Sequence, residues 1–406
     1  MHIAVCIVLL DMIGFAIMLP ILAYYALQLG ASPGIATLCM ALYVIGMFFA
    51  TPVWGRLSDR FGRKPILVIS LAGAVVGYVF LGFATAVWMV AVSRLFSGLM
   101  AGNLSVAQAY VADVTTNQDR AKAMGMLGAA FGISFIVGPA LGGLLAGDSF
   151  ADANLQLPAM VSAGLSLSAL LVVVFFLKES LPESARTKTE SPSFSQTLAW
   201  VGERRSLCLL LAAVSVYNLA AGFVESVFPI WADATNIAHG PKDLVPVLIA
   251  AGIAMVIVQG ALIGPLTRRF GERRLMRAGA VLFGISALLV TLAGTYASVP
   301  GVSAALVGQA IGAALVLTSM QSLTSKEAQS YNRGAVMGLY NALGTLGRGA
   351  GTAITGSAFA GIAIHAPYYI GAGLMSLLLL LALAVRAPEA EDSQGEQGTG
   401  AVAEGS

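Results

Sequence analysis

Four ionisable side chains stand among apolar residues: Asp11, Arg94, Glu225 and Arg348. Asp11 follows Cys6-Ile-Val-Leu-Leu10 and precedes Met12-Ile-Gly-Phe15. Within a bilayer a carboxylate there costs about 2.5–3.5 kcal/mol unless it meets water or a partner. Burial disfavours the charged form, so such a group can be neutral in one state, charged in another, and carry a proton between them. It can equally be a structural hydrogen-bonding group near the start of its helix. Glu225 shares a helical stripe with Asn218 and Gly222 and is the second candidate for proton or cation binding. A hydrated carboxylate near the surface is the alternative. Arg94 keeps its proton in a protein. It can hold a neighbouring carboxylate in the charged form, bind an anionic substrate group, or make a structural ion pair. Arg348 shares a face with Asn341, Gly344 and Thr352. It can attract an acidic or phenolate-bearing substrate, or pair with Glu225. Asn103, Tyr217, Asn218, Gln259, Gln309 and Asn341 complete the set that could line a substrate cavity. For each of them an ordinary packing hydrogen bond is the competing role.

The elements that position these groups follow from composition. Of 406 residues, 58% are hydrophobic and only 10% charged, whereas soluble domains carry about 25% charged residues. The apolar residues come in blocks of about 20, enough helix to cross about 30 Å of hydrocarbon. Twelve spans are expected, near 3–29, 35–55, 65–84, 87–110, 121–146, 157–177, 206–232, 245–267, 274–294, 298–323, 333–361 and 366–386. They form an all-α membrane fold of two six-helix bundles, 1–177 and 206–386. A polar linker, 178–205, holds Pro182 and Pro192, and an acidic, Gly-rich tail, 387–406, reads as disordered. Residues 1–29 are too long and too poor in basic residues for a signal peptide. Their abrupt start leaves room for a short cytoplasmic leader in the native product.

Charge sets the orientation. On this map the even loops, the linker and the C-terminal flank hold 19 of the 22 Lys and Arg residues, and the odd loops hold Lys242 alone. By the positive-inside rule both termini are cytoplasmic, and in a bacterium the membrane is the inner one. The net charge of +2 gives no reason to expect nucleic acid as a partner. Cys6, Cys39 and Cys208 all fall in apolar blocks, which argues against a disulfide framework. No HExxH, Walker loop or GxSxG occurs, and His2, His239 and His365 are scattered. Neither an enzyme nor a metal site nor a cofactor is expected, so an ion gradient is the remaining energy source.

The halves resemble each other. Gly55-Arg-Leu-Ser-Asp59-Arg60-Phe-Gly62-Arg63-Lys64 follows span 2, and Gly264-Pro-Leu-Thr-Arg-Arg269-Phe-Gly271-Glu-Arg273 follows span 8, 209 positions later. Gly98 and Gly102 recur as Gly308 and Gly312. Inverted or parallel repeats in transporters place the substrate site near the midplane, where the halves meet and rock. In span 5, Gly138, Gly142 and Gly143 permit close helix approach, and Pro139 bends the helix, which is expected to shape packing between halves.

These residues resemble the major facilitator superfamily and, within it, the twelve-span drug/proton antiporters that include tetracycline efflux proteins. Gly55 to Pro65 matches the loop 2–3 signature, Arg94-Leu-Phe-Ser97-Gly98 resembles that of span 4 with Ser97 in place of the usual Gln, and Gly138-Pro139-Ala-Leu-Gly142-Gly143 matches the antiporter signature of span 5. Asp11-Met-Ile-Gly14 with Pro20 is similar to the span 1 element. The resemblance implies export, a part in proton coupling for Arg94, and a gate formed by Gly55, Asp59, Arg60, Gly62, Arg63 and Asp113 that links spans on the cytoplasmic face. Spans 3 and 9 lack the acids that some tetracycline exporters carry, which points away from tetracycline itself. The expectation is a monomeric, proton-coupled exporter of a small amphipathic compound, working by alternating access. An exporter of an acidic metabolite such as a siderophore, or a transporter-like receptor without net flux, are the alternatives.

Overall fold

Hydrocarbon offers no partner for backbone N–H and C=O groups, so an apolar block of this length satisfies them internally, as helix. The computed structural model describes residues 2–150, 153–181, 194–328 and 333–385. The first half contains α1 (His2–Met18), α2 (Leu22–Gln28), α3 (Pro33–Phe61), α4 (Arg63–Gly82), α5 (Val87–Met100), α6 (Asn103–Val114), α7 (Asn117–Ala146) and α8 (Gln156–Phe176). After α9 (Phe194–Gly202) come α10 (Arg205–Ala234), α11 (Pro241–Ile257), α12 (Ile263–Phe270), α13 (Glu272–Thr295), α14 (Val299–Glu327), α15 (Arg333–Gly361) and α16 (Ala366–Ala384).

Ten helical stretches among the described residues are long and apolar enough to cross a membrane, and the pair α1–α2, bent by 40°, makes an eleventh. The bend falls at Pro20, which has no N–H to continue the ladder. α15 carries Arg348 and eight glycines, yet packs lengthwise against α10 and α3. It fits the twelve-span arrangement. The span 4 block is interrupted between α5 and α6 at Ala101 and Gly102, and that of span 8 by a π-helical turn at Val258–Leu262 between α11 and α12. Neither break was evident in the hydropathy, because Ala, Gly and Gln do not interrupt an apolar block.

Two sequence expectations need correction. The loop 2–3 signature is mostly helix: α3 runs on to Phe61 and only Gly62, with φ 101°, turns the chain into α4. Nothing in Gly55-Arg-Leu-Ser-Asp-Arg-Phe breaks a helix beyond its first residue, and a Cβ on Gly55 would meet no neighbour. The expected polar linker contains α9, whose Thr197 and Val201 are buried and which packs against α10 and α15. Pro182, Pro192 and the acidic tail, 387–406, lie outside the described residues.

Helices α1 to α8 pack mainly on one another, as do α10 to α16, and the two sets meet along two seams: α3 against α15 and α7 against α11. Glycine makes both seams close. A Cβ on Gly349 would sit 3.4 Å from Val44, and one on Gly252 would press against Ile136 at 2.7 Å.

Candidate substrate and proton site

In the first half, Asp11 on α1 is buried and accepts hydrogen bonds from Asn103 Nδ2 at the start of α6 and from Ser166 Oγ on α8, the latter at 3.2 Å. The break before α6 is what aims Asn103 inward. A cavity of about 10 Å³, lined by Asp11, Phe15, Tyr43, Tyr78, Ser97 and Asn103, has room for about one water molecule. Arg94 on α5 is 2% exposed. Its guanidinium lies 5.4 Å from the centre of the Tyr78 ring and 3.5 Å from Ser97 Oγ, while its Nε has no partner. The expectation that Arg94 holds a neighbouring carboxylate is not met among the described residues. Two neutral donors take both oxygens of Asp11, and the Tyr78 ring takes a face of the guanidinium. Ser166 and Tyr78 escaped the sequence reading. The hint was available for Ser166, which stands one turn from Ser162 on an apolar span, and Ser162 Oγ donates to the Gly14 carbonyl at 2.8 Å.

In the second half, Arg348 on α15 is ion-paired through Nη1 with Glu225 on α10. Its Nε also approaches Asn218 Oδ1 at 3.4 Å, and Asn218 donates to the Val214 carbonyl at 2.9 Å. Gly222 completes the stripe: a Cβ there would meet the backbone of Arg348 at 2.6 Å. The predicted stripe of Asn218, Gly222 and Glu225 therefore faces α15. Ser226 and Thr352 hold the two helices together at 2.9 Å. The Glu225 side chain remains 52% exposed and that of Arg348 34%, so the pair lines open space instead of the core.

The other expected cavity residues divide. Tyr217 is buried in the core, edge-on to Phe283, one residue off the stripe of Asn218. Gln309 on α14 is also buried, with Oε1 unpartnered. Gln259 in the π turn and Asn341 on α15 are exposed.

Between the seams, rings on the first half form a continuous wall. Phe15 on α1 stacks on Tyr43 of α3 at 4.8 Å and lies 6.4 Å from Phe135 of α7, itself 4.7 Å from Phe131. Tyr43 and Phe135 adjoin the seam residues Val44 and Ile136, so the wall runs from one seam to the other. α10 of the other half approaches α2, where Tyr24 donates to the Pro229 carbonyl one turn beyond Glu225.

That contact belongs to a closed end. Tyr24 also stacks on Phe150 at 3.8 Å, Phe150 N donates to the His239 carbonyl at 3.3 Å, Lys242 pairs with Asp148 at 2.7 Å, and Gly356 N donates to Thr37 Oγ1 at 3.1 Å. Among the described residues the opposite end, which bears the basic loops, is open. A Cβ at Gly55, Gly125, Gly128, Gly260, Gly264 or Gly338 would meet nothing within 4 Å, and α12 has no buried residue.

At the open end Arg63 is buried, pairing with Asp59 at 2.6 Å and Asp113 at 3.0 Å and donating to Ser58 Oγ at 2.7 Å. These bonds tie α3, α4 and α6 of one half together and do not reach the other half, which stands apart here. Arg60 is exposed, 5.3 Å from the Phe61 ring. Glu179, just past α8, was not anticipated. It accepts from the backbone N–H groups of Arg63 at 2.8 Å and Lys64 at 3.0 Å, capping α4, whose own N-cap, Gly62, has no side chain to do so. Burial works against its charge, but the N–H groups of Leu181, Arg63, Lys64 and Ser180 outweigh it and hold the carboxyl below its ordinary range.

The span 5 glycines serve two partners. A Cβ on Gly138 would strike Ala16, and one on Gly142 the Ile17 carbonyl, both on α1 of the same half. Only Gly143 faces the other half, where a Cβ would come 2.7 Å from the Pro241 carbonyl. Pro139 lies inside the continuous α7. The motif thus packs α7 on α1 chiefly, and shapes the seam with α11 at one residue.

Comparison with known proteins agrees with this architecture. The chain is 29% identical over 392 residues to the class D tetracycline resistance protein of Salmonella ordonez, covering 95% of this chain and 97% of that one. It is 29% identical over 290 residues to multidrug resistance protein 2 of Bacillus subtilis (strain 168), covering 68% and 70%. The crystal structure of the human organic anion transporter TETRAN superposes with a TM-score of 0.70 at 22% identity, covering 94% of this chain and 98% of that one. A single family model matches residues 4–263 and 210–404, which together cover nearly the whole chain. With two helical halves meeting at two glycine-lined seams, this integral membrane protein is a transporter and not an enzyme, and it belongs to the major facilitator superfamily.

Proposed function

We propose that the protein exports a small amphipathic compound in exchange for protons, by alternating access, as a monomer in a bacterial inner membrane. The moving bodies are residues 1–177 and 206–386, joined by 178–205, and both termini are cytoplasmic. The names of the tetracycline and multidrug resistance relatives support drug efflux. On the orientation favoured by the basic loops, the open end faces the cytoplasm, where an exporter takes up its cargo.

One observation carries the reading: the second half holds an accessible Glu225–Arg348 pair within its spans, while the first half sets a row of aromatic rings beside Asp11, which has only neutral donors. The rings offer stacking area to the apolar part of a substrate, and the ion pair offers both signs of charge to its polar part. Protonation of Glu225 frees Arg348, and protonation of Asp11 removes a charge from a site with no counter-ion. A proton and a substrate that favour different facing states exchange across the membrane.

The test is transport by full-length protein in liposomes with an imposed pH gradient, using ethidium as the fluorescent probe. Uphill accumulation that collapses with a protonophore is expected. Flux equal to that of protein-free liposomes for a broad set of amphipathic compounds, or flux indifferent to the gradient, overturns the reading. The accessible Arg348 guanidinium favours a second cargo, an acidic metabolite such as a siderophore, and a radiolabelled ferric siderophore in the same liposomes distinguishes it.

A further inference from the structure

α13 and α16 leave a groove on the outside of the second half, away from the substrate gap. Val281, Gly284, Ile285 and Leu288 line one side, Met375 and Leu379 the other, around a cavity of about 170 Å³. Its α13 wall is unpartnered in the bundle: Val281 is 43% exposed, Ile285 51% and Leu288 45%. Gly284 gives the groove its depth, since a Cβ there would already stand 3.3 Å from that of Met375.

A positive charge stands at the mouth. Arg277, one turn before Val281, donates through Nε to the Ala382 carbonyl at 3.1 Å. That carbonyl lies in the last turn of α16, where helical donors run out, so Arg277 bridges the two helices at the end of the groove. Among the described residues its terminal Nη groups have no acceptor. Arg273, a turn earlier, repels it, Arg274 is exposed beside them, and Arg268 and Arg269 end α12. The carboxylates at hand are already engaged: Glu272 by Lys326 and Ser322, and Glu327 by Arg273. Among the described residues, no carboxylate is left over for Arg274 and Arg277.

We propose that this groove binds an anionic phospholipid, with the phosphate at Arg277 and Arg274 and one acyl chain laid between α13 and α16. The chemistry fits at both ends. Basic pockets between spans at a membrane surface recruit anionic headgroups, and an apolar groove facing hydrocarbon is filled by a chain. The dimensions fit as well, since Arg277 to Leu288 spans about 16 Å of helix, about half of a 30 Å hydrocarbon layer and hence one leaflet. A lipid there clamps α13 to α16 from outside and leaves the substrate gap untouched.

The test is native mass spectrometry of the full-length protein in detergent with equimolar dioleoylphosphatidylglycerol and dioleoylphosphatidylcholine, and separately with glycerol 3-phosphate. Phosphatidylglycerol is expected to be retained at least tenfold over phosphatidylcholine, and glycerol 3-phosphate not at all. Arg277→Gln is expected to cut that retention at least fivefold and Arg277→Lys to keep most of it. Ser376→Phe, which fills the groove from the lipid side and leaves every arginine in place, is expected to cut it as far as Arg277→Gln does. Equal retention of the two lipids, binding of glycerol 3-phosphate, or unchanged retention in both Arg277→Gln and Ser376→Phe overturns the proposal.

Discussion

Glu272 occupies in the second half the place that Arg63 occupies in the first, with the charge reversed. Each follows a glycine of positive φ, Gly62 at 101° and Gly271 at 76°, that ends one helix and begins the next. Arg63 reaches Asp113 in the last turn of α6, and Glu272 reaches Ser322 and Lys326 near the end of α14. The duplicated halves secure the same joint with ion pairs of opposite polarity.

The two joints differ in burial, and their variants separate accordingly. The Arg63 side chain is 9% exposed and has three partners, whereas Lys326 is 55% exposed with one. Arg63→Ala leaves the buried Ser58 hydroxyl and the partly buried Asp113 carboxylate without their shared donor and is expected to cost about 1–3 kcal/mol. Lys326→Ala removes a solvated pair worth about 0–1 kcal/mol. Thermal unfolding of both variants in the same detergent checks the order, with the larger fall in Tm expected for Arg63→Ala.

Acid is expected to loosen the α4 joint through Glu179. Its carboxyl is held below the ordinary value of 4.5 in the folded protein. A depressed pKa stabilises the fold above the unfolded value, and that contribution fades as pH falls through the folded one. Wild-type Tm therefore drops on acidification below about pH 4.5 by more than that of Glu179→Gln, which starts lower and has no such charge to lose. Melting curves at several pH values report the difference.

On the proposed mechanism the two carboxyls couple substrate to protons. Asp11→Asn keeps an acceptor for Asn103 and a partner for Ser166, and Glu225→Gln keeps one for Arg348, so both are expected to fold. Uphill, gradient-driven export is expected to fall at least tenfold in each, while substrate exchange at equal pH survives. Transport in liposomes with and without a gradient separates these, and uphill export at the wild-type rate in both variants would remove Asp11 and Glu225 from the mechanism.

Closure at the Tyr24 end depends on a glycine. A Cβ on Gly356 would run into the Pro33 carbonyl across the seam and stand 2.5 Å from Thr37 Oγ1. Gly356→Val is therefore expected to wedge that end apart and shift the population toward the opposite facing state. Spin labels at Thr85 and Tyr296, exposed at that end in the two halves, are expected to move several ångströms apart in pulsed EPR, relative to the same labels on the parent protein.

Much of this molecule can be read without coordinates, because the bilayer constrains each segment separately. Apolar blocks of spanning length, basic residues sorted to alternate loops, and a motif repeated 209 positions on are properties of contiguous sequence. They determined that the chain is a duplicated helical membrane protein, and they singled out Asp11, Arg94, Glu225 and Arg348 as groups that hydrocarbon would reject. Which of these meet was decided by the tertiary structure alone. Arg348 and Glu225, 123 residues apart, are joined because Gly222 lets α10 and α15 touch. Arg94 and Asp11 are kept from pairing by Asn103, Ser166 and the Tyr78 ring. Glu179 on α4 and Tyr24 on α10 are contacts between distant segments, and so is the difference between the closed end and the open one. Helix packing fixes such distances, and no periodicity within a single span encodes them.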